Sequence, residues 1–327
     1  MSKSTHRAIA LPNPLTVWDN WPYRIGCPVW ACKHWGDQVY PAKTPSDQFL
    51  DWYSRCFPTV EGNSTFYSVP PIATFEKWCE RSAPGFRFCF KFPRTISHDL
   101  QLVGCEEPLR QWLERLEILA RHNRLGPTFL QLAPSFSPRQ FDSLAQLITQ
   151  LPREWPWAVE VRHRDWYEDA SCEERLNALL HAHGIDRVLF DSRPLNALDA
   201  SDAFESASQI RKPKLPLRSD VTGPRPMVRL IGRNQIAEVD LYWEEWADRL
   251  AQWIRDGLQP WIFTHAPDDT FAPTLVRSLH ERLQQRIPSL PSLPSLDGLL
   301  QAPPRDGGAT GHGDHVAEKP LVQQRWF

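Results

Sequence analysis

What this sequence lacks narrows it first. Its seven cysteines (Cys27, Cys32, Cys56, Cys79, Cys89, Cys105 and Cys172) are odd in number, and no two stand as C-x-x-C. That spacing offers neither a zinc knuckle nor a redox pair. Cys89 lies in an apolar stretch, as buried free thiols do, so the set reads as structural thiols in a reducing compartment. No apolar run is long enough to cross a bilayer, and residues 1–20 lack the apolar core of a signal peptide. A cytoplasmic protein with no membrane partner is expected. Charge of one sign is missing too: 37 Lys and Arg against 39 Asp and Glu leave a net charge of −2. No global field draws nucleic acid, so any anion site must be local. No Gly-x-Gly follows a strand and no G-x-S-x-G elbow occurs, which argues against nucleotide cofactors and a serine nucleophile.

What is present is alternation. Short β-rich runs fall at 23–27, 59–63, 86–92, 128–132, 157–162, 187–191, 227–231 and 261–265. Helical patterns lie between them at 45–56, 72–81, 107–123, 138–151, 172–183 and 241–255, and a last one follows at 273–284. Strands alternating with helices imply parallel strands and right-handed crossovers. Eight such units predict an α/β protein with one closed (β/α)₈ TIM barrel, a fold whose usual length accommodates 327 residues. The expected division is a flexible segment at 1–20, the barrel at 21–287 and a low-complexity tail at 288–327. The tail, rich in Pro and Gly, is expected to be disordered and dispensable for folding. Between the sixth and seventh strands runs a long loop, 193–226, with at most a weak helix around 200–209. It carries Arg211, Lys212, Lys214 and Arg218, and a loop of that length is usually functional.

The strands place charge where a barrel should be apolar. In WAVEVR (157–162) alternate residues share a face, and the apolar set must meet the helices, so Glu160 and Arg162 point inward. The same parity places Glu61, Asn63, Lys91, Gln131, Asp191 and Arg229 inside, with His265 closing the eighth strand. Buried charge is costly unless paired, yet nearly every strand brings one to its C-terminal end, where barrel enzymes carry their sites. Just beyond the strand ends stand His98, His163 and Trp166. The predicted roles are Glu160 or Asp191 as base and His98 or His163 as proton carrier. Asn63, Lys91, Arg162, Arg229, Trp166 and His265 would bind substrate, a small anion carrying phosphate or carboxylate. The basic loop would close over it. No cofactor is assigned. A divalent metal held by His98, Glu160, His163, Asp191 and His265 is the alternative, opposed by three inward cations. A hydrolase or lyase fits this set; a nucleic-acid barrel and a non-catalytic ligand-binding barrel are the other readings.

Six motifs in order carry a resemblance: RIGCPVW, VEGNSTFYSVP, FCFKFPRTISH, LGPTFLQLAPSF, AVEVRHRDW and VRLIG. Together they resemble the YecE-like family (domain of unknown function 72), over about residues 23–283. The resemblance implies a TIM-barrel fold and importance for Asn63, Lys91, His98, Glu160, Arg162 and His163, but no accepted activity. The chain departs from the family pattern at Cys27 and Pro28, at Ser97, in THAPDD after the eighth strand, and after Arg229, where no histidine follows. Mechanism does not carry over to His265 or Asp268 on this ground.

Overall fold

The computed structural model of the protein describes residues 18–301. Its first half runs β1 (Arg24–Gly26), α1 (Phe49–Cys56), β2 (Thr59–Gly62), α2 (Ser64–Tyr67), α3 (Ile72–Arg81), β3 (Arg87–Phe90), α4 (Glu106–Arg121) and β4 (Thr128–Gln131). Then come α5 (Phe141–Thr149), β5 (Trp157–Glu160), α6 (Asp165–Glu168), α7 (Ala170–Ala182) and β6 (Asp186–Asp191). The last part contains α8 (Arg193–Asn196), α9 (Ala203–Arg211), β7 (Met227–Ile231), α10 (Asp240–Arg255), β8 (Trp261–His265), α11 (Ala272–Arg286) and α12 (Leu296–Gln301).

Sequence dictates these elements locally. Nearly every residue of the eight strands is buried, as parallel strands covered on both faces must be. The helices present one apolar stripe: α4 buries Leu109, Trp112, Leu116 and Leu119, spaced by three or four residues. Starts are marked by polar caps and proline. Asp169 caps α7, Asp202 caps α9, and Pro273 opens α11.

The closed eight-stranded barrel expected from the alternation is not what forms. Six strands make one parallel sheet in the order β1-β8-β7-β6-β5-β4, an open half-barrel, and β2 pairs only with β3. At one seam a single bond, Glu61 N–H to Cys27 O at 3.0 Å, joins the β2 backbone to the residue after β1. All three residues of β1 pair with β8 and none pairs in a ladder with β2, although Gly26 lets the backbones approach: a Cβ there would lie 2.1 Å from Thr59 O. At the other seam β3 meets β4 through isolated bridges, Phe88 to Leu125 and Lys91 to Phe129. The bridged residues are three apart on one side and four on the other, so an extra residue slips the register. Periodicity counts strands; it does not report whether their ladders join.

Inside the strands lies an apolar floor of Cys89, Phe129, Ala158, Val188, Met227, Trp261 and Phe263, separate from the larger core between strands and helices. Three further expectations change. Within the N-terminal segment, Trp18 is fully buried and its Nε1–H donates to Ser54 O at 2.8 Å; residues 1–17 lie outside the described set. The 193–226 segment holds two helices and is tied down, Arg218 to Glu173 at 2.8 Å and Ser192 Oγ to Pro213 O at 2.9 Å. The segment after residue 287 is not structureless: Leu290, Leu293, Leu296 and Leu299 are all buried, and Arg277 donates to Pro294 O at 2.8 Å. One leucine in every three residues, spaced by prolines, docks without needing helical periodicity. The remaining tail, 302–327, lies outside the described residues.

Candidate functional site

Above the apolar floor the strand ends converge on one bonded cluster. Arg229 from β7 is its centre. Its Nε and Nη2 donate to the two oxygens of Glu61 from β2, at 2.9 and 2.8 Å, and its Nη1 donates to Glu160 from β5 at 2.8 Å. The arginine thus joins the two-stranded ladder to the six-stranded sheet. His265 Nε2 lies 3.0 Å from Glu61 Oε2, and Asn63 Nδ2 donates to Glu61 Oε1 at 2.8 Å. Gln131 Nε2 donates to Glu160 at 3.0 Å, and Lys91 Nζ donates to Gln131 Oε1 at 2.6 Å. Arg162 pairs with Glu160 through its Nε.

Burial and mutual charge set the protonation of this group. Burial works to raise the Glu61 and Glu160 carboxyls, but the arginines outweigh it. Glu61 is held well below the usual range by Arg229, and Glu160 is held at about 2 by Arg162 and Arg229. Burial lowers Lys91 to about 7, helped by the charges of Arg229 and Arg162. His265 and His98 are each lowered by burial to about 4, so both are neutral at pH 7. A neutral His265 facing ionised Glu61 donates from Nε2, leaving Nδ1 as an acceptor.

The other predicted residues scatter. His98 sits on a single π-helical turn, Thr95–Asp99, edge-on to Phe66 with ring centres 4.9 Å apart. Lys91 Nζ lies 3.5 Å above the same ring, so His98 belongs beside the cluster. His163 stands half-buried at the rim and accepts the Asp165 N–H at 3.2 Å; no cluster member bonds it. Trp166 is fully buried, and its Nε1–H is taken by Phe136 O at 2.9 Å, so it packs the loop after β5 onto the core. Asp191 faces away from the interior, where Trp246 Nε1 and Arg193 Nη2 donate to it at 2.8 and 2.9 Å. Its inward placement by parity is corrected: Val188 and Phe190 are the inward residues of β6. Among the described residues, no three of His, Cys, Asp and Glu group as metal ligands.

One residue of the site, Phe190, escaped the sequence, and Lys212 was legible only as part of the basic loop expected to close over the substrate. Phe190 supplies a ring 4.5 Å beneath the Arg162 guanidinium, and only the true parity of β6 would have revealed it. Lys212, half-buried just after α9, is lowered to about 8 by burial and by the charges of Arg229 and Arg162. Its signal was the basic run RKPK at 211–214. A buried network holds that segment in place. Arg233 pairs with Glu205 of α9 at 2.6 Å, and Asn234 Nδ2 donates to Asp202 at 2.7 Å. A separate cavity of about 310 Å³ opens nearby, lined by Arg164, Tyr167, Arg193, Asn196 and Lys214. It includes no residue of the bonded cluster, and the convergent chemistry lies in the cluster.

Comparison with known proteins places the chain. The family model of DUF72, a protein family of unknown function, matches residues 24–297. UPF0759 protein YecE of Escherichia coli (strain K12) is 36% identical over 266 residues, covering 81% of this chain and 94% of YecE. UPF0759 protein YunF of Bacillus subtilis (strain 168) is 28% identical over 151 residues, 44% of this chain and 53% of YunF. The crystal structure of a DUF72 family protein from Thermotoga maritima MSB8 superposes with a TM-score of 0.59 at 21% identity, covering 82% of this chain and 99% of that one. Another, from Enterococcus faecalis V583, gives 0.57 at 17% identity, covering 74% and 94%. Those two likenesses concern the fold alone. No helix among the described residues is long and apolar enough to cross a membrane. By the match over 24–297 and the identity to YecE, the chain belongs to the DUF72 family, with the YecE-like proteins.

Proposed function

We propose that the cluster binds a small anion bearing phosphate or carboxylate and acts on it as a hydrolase or lyase. One observation carries this reading: Arg162, Arg229 and Lys91 gather with two carboxylates, Glu61 and Glu160, in one bonded cluster. Arg229 is consumed by both carboxylates, but Arg162 binds Glu160 through Nε and leaves the outer edge of its guanidinium free. Such an edge suits a bidentate oxyanion. Lys212, lowered to about 8 by burial and the arginines, gains a proton more readily as an anion arrives and so strengthens its binding. Glu160, already fully bonded and held at about 2, is a poor base. Neutral His98, beside Lys91 and half-exposed, is the better proton carrier.

Removing Arg162 tests the reading. Glu160 keeps Arg229 and Gln131, so Arg162→Ala should lower stability by only about 1–2 kcal/mol, less than loss of a sole partner. Phosphate and small carboxylates should raise the thermal midpoint of the parent protein and leave that of the variant unchanged. An undiminished rise in Arg162→Ala would refute the anion site.

A further inference from the structure

We infer that Lys91 is a covalent amine, condensing with the carbonyl of a small oxo-acid whose carboxylate lies against Arg162. The inference rests on the anion-binding reading above and narrows it to a lyase that works through an imine.

The argument begins with position. Lys91 leaves the end of β3 and is pinned at three points: its backbone bridges Phe129, its Nζ donates to Gln131 Oε1 at 2.6 Å, and the Phe66 ring lies 3.5 Å below. A neutral amine holding one hydrogen on Gln131 keeps its lone pair for a carbonyl carbon. A nucleophilic lysine must be neutral, and neighbouring cations with desolvation make it so. Arg229 and Arg162 are those cations here. The Phe66 face favours the ammonium, but burial and the two arginines outweigh it, leaving the amine near 7. Lys212 differs: it hangs from the segment after α9, with no side-chain partner to orient it. Fixed orientation, not charge alone, singles out Lys91.

The rest of the cluster supplies what the step requires. The Nζ lone pair forms the N–C bond while the carbonyl π pair moves to oxygen, giving a carbinolamine after proton transfer. Its oxygen then leaves as water, carrying one proton from the nitrogen and one from a general acid, as C=N forms. Solvent supplies that proton: neutral His98, on the same Phe66 ring with Ser97 Oγ at its Nδ1 at 2.8 Å, can take it up at Nε2 and deliver it. The protonated imine accepts the electron pair of the bond to a neighbouring carbon that bears a hydroxyl; that carbon leaves as an aldehyde, its hydroxyl proton passing to the Nε2 of His98, free after the preceding step. Reprotonation of carbon and addition of water then restore the free amine and release the carbonyl product. Ionised Glu160 and Glu61, both tied to Arg229, offset the cationic charge that builds on nitrogen.

Reductive trapping tests this. The full chain is incubated with pyruvate and sodium cyanoborohydride, digested, and mapped by mass spectrometry. The reduced adduct should appear on Lys91 well before exposed lysines such as Lys43 and Lys77. Lys91→Arg, which keeps a long donor for Gln131 and removes the nucleophile, should lose it, and Arg162→Ala should slow it at least tenfold. An adduct that forms no faster on Lys91 than on exposed lysines, or that forms on Lys212 alone, overturns the inference. The thermal shift with phosphate or acetate is read in parallel. An Arg162-dependent shift without a Lys91 adduct defeats the imine and leaves the anion site standing. Loss of both defeats both.

Discussion

Strands β5 and β6 are hydrogen-bonded neighbours, in register Ala158 to Asp186 and Val159 to Arg187, and they dispose their charges in opposite directions. On β5, Glu160 turns inward, followed by Arg162, while Val159 joins the outer core. On β6, Arg187 and Asp191 turn outward and Val188 and Phe190 turn in. Both arrangements satisfy buried charge. Outside β6, Glu173 and Asn177 of α7 accept from Arg187 at 2.7 and 2.9 Å, while Trp246 of α10 donates to Asp191. Alternation therefore decides which residues share a face, and the partners waiting on each side decide which face is inside. The reversal also serves the site, because Phe190 turned inward lies under Arg162 and 5.7 Å from Arg229.

The sharpest way to break this comparison is to remove the inward hub. Arg229→Met leaves Glu61 and Glu160 buried without their shared partner, at a cost of roughly 3–5 kcal/mol. Urea unfolding should show it as a large drop in midpoint. A neutral outcome would mean that the interior charges are solvated rather than paired. On the outward side, Asp191→Ala removes the acceptor for Trp246 Nε1 and one anchor of Arg193, which keeps Glu245 at 3.0 Å. The expected loss is about 1–3 kcal/mol, with anion binding untouched. If Asp191→Ala abolished the anion-induced thermal shift, the division between an inner functional face and an outer structural one would be wrong.

Several parts of this were legible in the sequence. Glu160 and Arg162 were placed by their own strand, since Val159 and Val161 could only meet helices. Glu61, Lys91, Gln131 and Arg229 followed by the same logic and do meet. Asp191 is misplaced by parity because both faces of β6 mix charge with apolar residues, Leu189 beside Arg187 and Asp191 and Asp186 beside Val188 and Phe190, so alternation alone does not say which face turns inward. Trp166 failed for a different reason: an aromatic beside a cleft and an aromatic under a loop look alike until its indole N–H finds Phe136 O. The eight strands were counted correctly in the alternation, whereas their division into six and two depends on a few backbone bonds at the two seams that no side-chain pattern encodes. The buried leucines after residue 287 were invisible because a period of three, broken by prolines, matches neither helix nor strand.

The two ends of β6 offer the finest test. Asp191, at the C-terminal end, has donors on its carboxylate, whereas Asp186, at the start, is poorly served. Its Oδ1 accepts the Arg225 N–H at 2.7 Å, but its Oδ2 has no hydrogen bond and lies 3.6 Å from Arg225 Nε. Burial therefore raises Asp186 to about 7, and Arg225 only partly opposes it. Between about pH 4 and 7 the folded protein then holds a proton on Asp186 that the unfolded chain has released. Stability contributed by this group is complete below the unfolded pKa and is lost as pH rises through about 7. Asp186→Asn, which cannot titrate, should remove that component. The difference in unfolding free energy between parent and variant should change steadily from pH 4 to 7 and level off above it, always in the direction of a parent that weakens as pH rises. A difference independent of pH would mean that Asp186 stays ionised in the fold despite its burial.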